Sequence, residues 1–430
     1  MTAHKHLKAR IRARMAQTGE SYVTARRHVA GEPATTVDHG YRLRGGIHPD
    51  TAAIANVLAH HGVTAGHTGE PLSEAMVLGV GGGLGAGYIL WEFEAHGSPT
   101  LVLGYRNRWQ YPARWMRATL ERLGVPASHH ETGGARAAGA QLDAALAAGR
   151  PALATIDCQS IGYWHLPAEM EGRGGYPVVV YGEAGGRMRV DDRGLAPLTV
   201  AREVLDAARA RVGSYKHRLC VIEPDRDVLG ADELRTAVRA GLADAAEHLA
   251  TASDSFGLAA WRKWSRMMTG SRNAKAWPRV FAERRGLAGA LLSMYEGIEP
   301  VGMYGGHLRG LYADFLDEAA GLLEEPRLAE AAPAWRDAGA QWHSLAELVL
   351  PPGRLRELLV EVHAQVVERG DEGAGDAAGA AAELWQLRAA LDAASPLEDG
   401  EAADLFEAIG ERLAAIFAAE TAAAARLARG

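Results

Sequence analysis

Two cysteines in 430 residues, Cys158 and Cys220, leave no material for a disulfide framework or a cysteine-rich zinc site. Lysine is almost as scarce, five against 41 arginines, a bias shared with the abundant alanine and glycine and uninformative about function. No long apolar run is present. The longest uncharged stretch, Ala75 to Trp91, is broken by Gly79, Gly81, Gly82, Gly83, Gly85 and Gly87, so it makes a poor spanning helix. The N-terminus is charged through Arg14 and lacks the apolar core of a secretory signal. These absences lead to an expectation of a reducing cytoplasm and no membrane contact. What is present is ordinary globular material, 48% hydrophobic and 23% charged, long enough for two or three domains.

The net charge of −7 argues against nucleic acid as the main partner. Its distribution is uneven. Residues 1–40 carry seven basic groups (Lys5, Lys8, Arg10, Arg12, Arg14, Arg26, Arg27) against three acids, about +4, leaving about −11 for the rest. Leu7, Ile11 and Met15 fall on one stripe of a short basic helix, and a second runs from Ser21 to Val29. Residues 1–39 thus read as a basic helical arm, either a solvated face or a docking surface for an acidic partner.

Residues 40–224 mix strand and helix signals. Asp50 offers an N-cap for a helix carrying Ile54, Val57 and Leu58, stopped by Gly62. Further helices are expected over Trp115–Leu123 and 137–148. Short strands are expected at Pro151–Ile156, Val178–Tyr181, Arg187–Val190 and Arg218–Ile222, the middle two joined by the turn Glu183–Gly186. From Asp232 onward the pattern is helical, with a break at Pro224-Asp-Arg-Asp and a flexible loop over 369–377. The expected architecture is an α+β domain over 40–224 and an all-α domain over 225–430.

The usual motifs are weak. The glycine run lacks the Lys-Ser/Thr of a P-loop and the later acid of a dinucleotide site, so its glycines are read as allowing a tight turn or close backbone approach. The histidine pairs His60-His61 and His129-His130 cannot face one metal, and no metal or other cofactor is expected. Cys158 follows a strand end, a place for a nucleophile or for a core thiol.

A wider pattern carries more. Gly45-Gly-Ile-His48-Pro49-Asp50-Thr51, Leu72–Gly79 with its glycine run, Gly149-Arg-Pro151, Val178–Gly182 and Val190-Asp-Asp-Arg193 together resemble the N-terminal domain of the butirosin biosynthesis protein H family. The stretches Ser293–Glu299 and Gly305–Ala319 resemble the domain of unknown function that commonly follows it. The resemblance spans roughly residues 40–350. It implies a papain-like fold and an acyltransferase that moves an acyl group from an acyl carrier protein thioester to an amine. It also implies a nucleophilic Cys at a helix start, a His before a strand and an Asp after the next one. Here those positions read Pro49, Tyr176 and Asp192, so a thiolate acyl-enzyme at position 49 is impossible.

Aminolysis of a thioester needs no enzyme nucleophile, only a base, alignment and donors for the oxyanion. The candidate catalytic set is therefore His48 as base, Asp50 or Asp192 as its orienting carboxylate, and Tyr176 as donor. Asp50 can equally be a cap, Asp192 a turn brace with Arg193, and His48 a turn residue. Candidate substrate contacts are Tyr88, Cys158, His165, Tyr295, Glu296, Glu299 and Arg309, with Glu296 and Glu299 placed i, i+3 to hold a cationic acceptor or to form a salt-bridge network. Expected partners are an acyl carrier protein, met by Arg10, Arg12 and Arg14, a small-molecule amine and a second copy in a homodimer. The competing functions are a catalytically degenerate carrier-binding scaffold and a cyclase or hydrolase on the same fold.

Overall fold

Helix α1 (Pro49–His60) starts where the side chain of His48, in extended backbone, accepts the Asp50 N–H at 3.2 Å. Pro49 follows at the first helical position, where its missing N–H costs nothing. The cap is thus His48 and not Asp50, which lies in the first turn of the helix. The computed structural model describes residues 40–93, 98–172, 174–270, 272–394 and 397–428. The basic arm expected over 1–39, including Arg10, Arg12 and Arg14, lies outside them.

After α1 the chain makes β1 (Thr64–Ala65), α2 (Glu74–Val80, capped by Ser73), and a long antiparallel hairpin, β2 (Leu84–Phe93) with β3 (Ser98–Arg106). Helices α3 (Pro112–Arg122) and α4 (Ala135–Ala147) flank β4 (Ala127–His130) and lead to β5 (Ala152–Asp157). Strands β6 (Gly175–Ala184), β7 (Arg187–Asp191) and β8 (Leu198–Ala201) follow, then α5 (Arg202–Ala210) and β9 (Leu219–Ile222). These form a six-stranded sheet in the order β4-β9-β5-β6-β7-β8, with every pair antiparallel. Strand β5 is buried at all six positions, which is why Ala152–Asp157 reads as an apolar run and not as an alternation.

Beyond β10 (Val228–Leu229), which pairs back in parallel with β1, the described chain is helical. The helices are α6 (Ala231–Ala250), α7 (Ala259–Thr269), α8 (Trp277–Val280), α9 (Leu287–Ile298), α10 (Arg309–Leu323), α11 (Pro326–Val349), α12 (Arg354–Ala364), α13 (Ala374–Ala394) and α14 (Asp399–Ala428). An α+β region is therefore followed by a mostly helical one. The flexible loop expected over 369–377 is instead ordered. Gln365–Arg369 is a π-helical turn, Gly370–Gly373 a 3₁₀ turn, and α13 begins at Ala374. Backbone bonds explain this order, because Leu195 N–H donates to Val367 O at 2.7 Å and Asp371 N–H to Pro197 O at 2.9 Å.

The glycine run sits where α2 meets the helical region. A Cβ on Gly79 would lie 2.1 Å from the Phe315 ring of α10, and one on Gly241 of α6 would lie 2.2 Å from Gly79 O. Close approach of helices is what these glycines permit. The hairpin β2–β3 packs against the same layer, so one apolar core runs through both regions. None of the described helices is long and apolar enough to cross a membrane.

Candidate active site

Three elements meet at one corner: the start of α1, the start of β6 and the end of β7. They bring Pro49, Pro177 and Asp192 around a slit too narrow for a water molecule. Asp192 is the hub. Its Oδ2 accepts from Tyr176 Oη at 2.7 Å, Tyr163 Oη at 2.8 Å and Trp164 Nε1 at 3.1 Å. Its Oδ1 accepts from Arg193 Nε at 3.0 Å. Trp164 Nε1 also donates to the Tyr176 hydroxyl at 2.7 Å. Burial and the Asp192 charge hold the Tyr176 and Tyr163 hydroxyls far above their ordinary pKa, so both remain protonated donors.

Arg193 adopts a left-handed backbone (φ 61°), which aims its buried guanidinium at Asp192, at the faces of Tyr176 and Trp164, and at Ile47 O. A non-glycine residue in this region costs energy that its surroundings must repay, here through a charge-assisted bond inside a dry corner.

His48 is buried at the edge of the corner. Burial, with Arg106 and Arg193 nearby, holds its pKa well below the usual value, so the ring is neutral. Its Nδ1 is the acceptor for Asp50 N–H, so the proton sits on Nε2. In this arrangement His48 offers a hydrogen-bond donor and not a base. Asp50 pairs with Arg106 at 3.0 Å, closer than its 3.8 Å approach to His48. The His48 backbone is anchored by Glu74, which accepts from the N–H groups of Ile47 and His48 and from the Thr51 hydroxyl.

The nearby thiol of Cys158 is bonded to the Tyr304 hydroxyl. Burial, reinforced by Asp192, pushes its pKa up, away from thiolate formation. Cys220 lies in β9, its pKa raised by burial to about 12. Neither environment favours the thiolate.

One side chain deeper, Trp164 forms a wall of a second space. This cleft lies between the α+β region and helices α9, α12 and α13, with about 400 Å³ between its walls including the mouth. Glu296 and His363 are its titratable groups. Burial pushes the Glu296 carboxyl up to about 7 and pulls the His363 imidazole down to about 3. Trp385 closes another side and donates through Nε1 to His165 O at 2.9 Å, which holds His165 in left-handed backbone (φ 51°) at the rim.

The remaining expected contacts lie elsewhere. Tyr88 is buried in the hairpin layer, stacked on Trp264 and accepting from Trp277 Nε1. Arg309 is fully buried and paired with Glu420, a structural brace in place of the substrate contact expected of it. Tyr295 is buried with its ring beneath Arg356, and Glu299 accepts from His343 Nδ1 at 2.7 Å. Of the expected substrate residues, Glu296 lines the cleft, His165 borders it and Cys158 touches the corner.

Sequence reasoning missed Tyr163, Trp164, Tyr304, His363 and Trp385. His363 and Trp385 come from helices roughly 170 and 190 residues beyond Asp192, and no local spacing ties them to it. The Tyr163-Trp164 pair did carry a signal, two aromatics with polar tips just after a strand end. Among the described residues no group of three or more His, Cys, Asp or Glu is placed to hold a metal ion.

Comparison with known protein families matches the sequence over two spans. Residues 48–193 fit the family described as butirosin biosynthesis protein H, N-terminal, a span that begins at His48 and ends at Arg193. Residues 203–353 fit a domain of unknown function, DUF4872. No curated protein matches the chain. The chain is accordingly similar, over residues 48–193, to the butirosin biosynthesis protein H N-terminal family and, over residues 203–353, to the DUF4872 domain.

Proposed function

We propose that this protein is an amide-forming acyltransferase of antibiotic-type specialised metabolism. It takes an acyl group from a carrier-protein thioester to an amine without a covalent acyl-enzyme. The family name supports the metabolic setting, and a papain-like ancestry accounts for a helix start, a strand start and a strand end converging at positions 49, 176 and 192. The observation that carries the reading is the cleft that shares Trp164 with Asp192 and bears a carboxylate titrating near neutrality. A pKa matched to the working pH suits proton removal from an attacking amine. His48, with its proton on Nε2, is a donor suited to a developing oxyanion, and Tyr176, its hydroxyl already given to Asp192, braces the corner beside it. Asp192 and Asp50 act as positioning residues, through Tyr176 and through the α1 start. Arg10, Arg12 and Arg14 supply charge complementary to an acidic carrier, and a homodimer is compatible with this arrangement.

A second reading, a carrier- or intermediate-binding scaffold, is favoured by one specific observation: Asp192 already accepts four hydrogen bonds from its neighbours and the slit beside Pro49 is closed. Single-turnover transfer from loaded carrier protein to a panel of amines, followed by mass spectrometry, separates the two. Amide product with no mass shift on the protein supports transfer. An acyl adduct on Cys158 overturns the non-covalent mechanism. Carrier binding without product on any donor moves the protein to the scaffold class.

A further inference from the structure

The interface cleft holds a single carboxylate in apolar surroundings. Glu296 projects from α9 between Leu359, Val362 and Leu384, with the indoles of Trp164 and Trp385 as walls. Among the described residues none hydrogen-bonds or ion-pairs with its side chain. Arg388 is near enough to attract it, but that guanidinium is directed to Asp392 at 3.9 Å and over the Trp385 ring at 5.4 Å. A carboxylate half-buried among apolar side chains without a counter-ion is costly, and a ligand that brings the missing charge removes that cost. The interior is small, with room for about two water-sized groups. That admits an ammonium and its first methylene and refuses a ring or a trimethylated head.

We infer that the cleft is a recognition site for the primary ammonium of an aminoalkyl arm, with Glu296 as counter-ion and Trp164 and Trp385 flanking the methylenes. The chemistry is complementary at each atom. An –NH₃⁺ brings three donors and one charge to a carboxylate that has neither, and the indole faces add cation–π attraction. The inference deepens the proposed transfer reaction by naming the acceptor class, and it rests on that reading only for its biological meaning, since binding is measurable without turnover.

The test is calorimetric titration of the full chain with propylammonium, 1-propanol and tetramethylammonium. Propylammonium is expected to bind at least tenfold more tightly than either of the others. Burial pushes the empty-site Glu296 carboxyl up to about 7, so the ionised fraction, and with it the affinity, rises about tenfold from pH 6 to pH 8. His363, held near 3, and Arg388, always charged, contribute nothing to that window. Glu296→Gln keeps the side-chain shape and is expected to abolish both the preference and the pH dependence. Equal binding of 1-propanol, equal binding of tetramethylammonium, or undiminished binding to a folded Glu296→Gln variant each overturns the site, and the ligand series on the wild-type chain decides if that variant does not fold. Amide formation on amines without propylammonium binding removes the pocket and leaves the transferase. Binding without amide formation does the reverse.

Discussion

Glu420 gathers four donors in a dry interior: Arg309 Nε at 2.7 Å, Arg309 Nη2 at 2.8 Å, Trp342 Nε1 at 2.6 Å and Trp261 Nε1 at 3.0 Å. Both members of the ion pair are fully buried. Removing one leaves the other uncompensated, so Arg309→Ala or Glu420→Ala is expected to lose about 3–5 kcal/mol in denaturant unfolding. The double replacement Arg309→Met with Glu420→Leu is expected to lose less than either single change. Asp191 makes a different statement about charge. Tyr41 Oη, Asn56 Nδ2 and Gly194 N donate to it, yet burial still pushes its carboxyl up to about 6. Between pH 4 and 6 the folded chain therefore holds a proton that the unfolded chain has released, and stability from this group falls as pH rises. Relative to Asp191→Asn, the wild type is expected to lose up to about 3 kcal/mol across that window and to run parallel above about pH 7, read from unfolding curves at fixed pH.

At the scale of elements, helix crossings depend on absent side chains. Gly241→Ala forces a Cβ to within 2.2 Å of Gly79 O and is expected to destabilise by about 1–3 kcal/mol through the α2–α6 contact. Gly379→Ala in α13 meets nothing within 4 Å and is expected to stabilise by about 0.4–1 kcal/mol. Thermal unfolding of the two variants checks the contrast. The elements legible in the sequence were those whose burial matches a simple period. The buried strand Ala152–Asp157 shows itself as a short apolar run, and the helical pattern expected from Asp232 onward is met by helices from α6 to α14. Illegible were β2 and β3, because glycine at positions 83, 85 and 87 hides a strand that must lie close to other backbone and to Trp109. Illegible too was the order of 369–377, imposed by the bond from Asp371 to Pro197 and, just before it, that from Leu195 to Val367, which no local composition records. The same limit governed the site. His48, Tyr176 and Asp192 were visible by position, but the role of His48 turned on which ring nitrogen meets Asp50 N–H, a matter of backbone geometry.

For the whole molecule, the continuity of the core decides how it unfolds. The hairpin β2–β3 and helix α2 are covered by α6, α7, α9 and α10, and the apolar cluster has no gap at the expected boundary near residue 224. Heat or denaturant is expected to give one transition by tryptophan fluorescence and by far-ultraviolet circular dichroism, and residues 40–224 expressed alone are expected to bind a hydrophobic dye. The proposed carrier partner is an electrostatic matter at this scale. Reversal of Arg10, Arg12 and Arg14 is expected to weaken carrier-protein binding measured by calorimetry at low salt, and added salt to weaken the wild type in parallel. The helical region also fastens the Asp192 corner by chain length. His363, its ring 6.1 Å from that of Trp164, and Val367, bonded to Leu195, lie on either side of the start of the π-helical turn Gln365–Arg369. Deleting one residue there, Val366 for instance, lets the backbone relax into an ordinary α-turn, and because the longer π-turn and the shorter α-turn each advance the chain by roughly one full turn, the downstream face is kept. That turn thus works as a slack link: it absorbs the loss of one residue far from every polar group of the site with Trp385 still on His165, and a second deletion, with no slack left to draw on, is expected to pull Trp385 away and open the cleft.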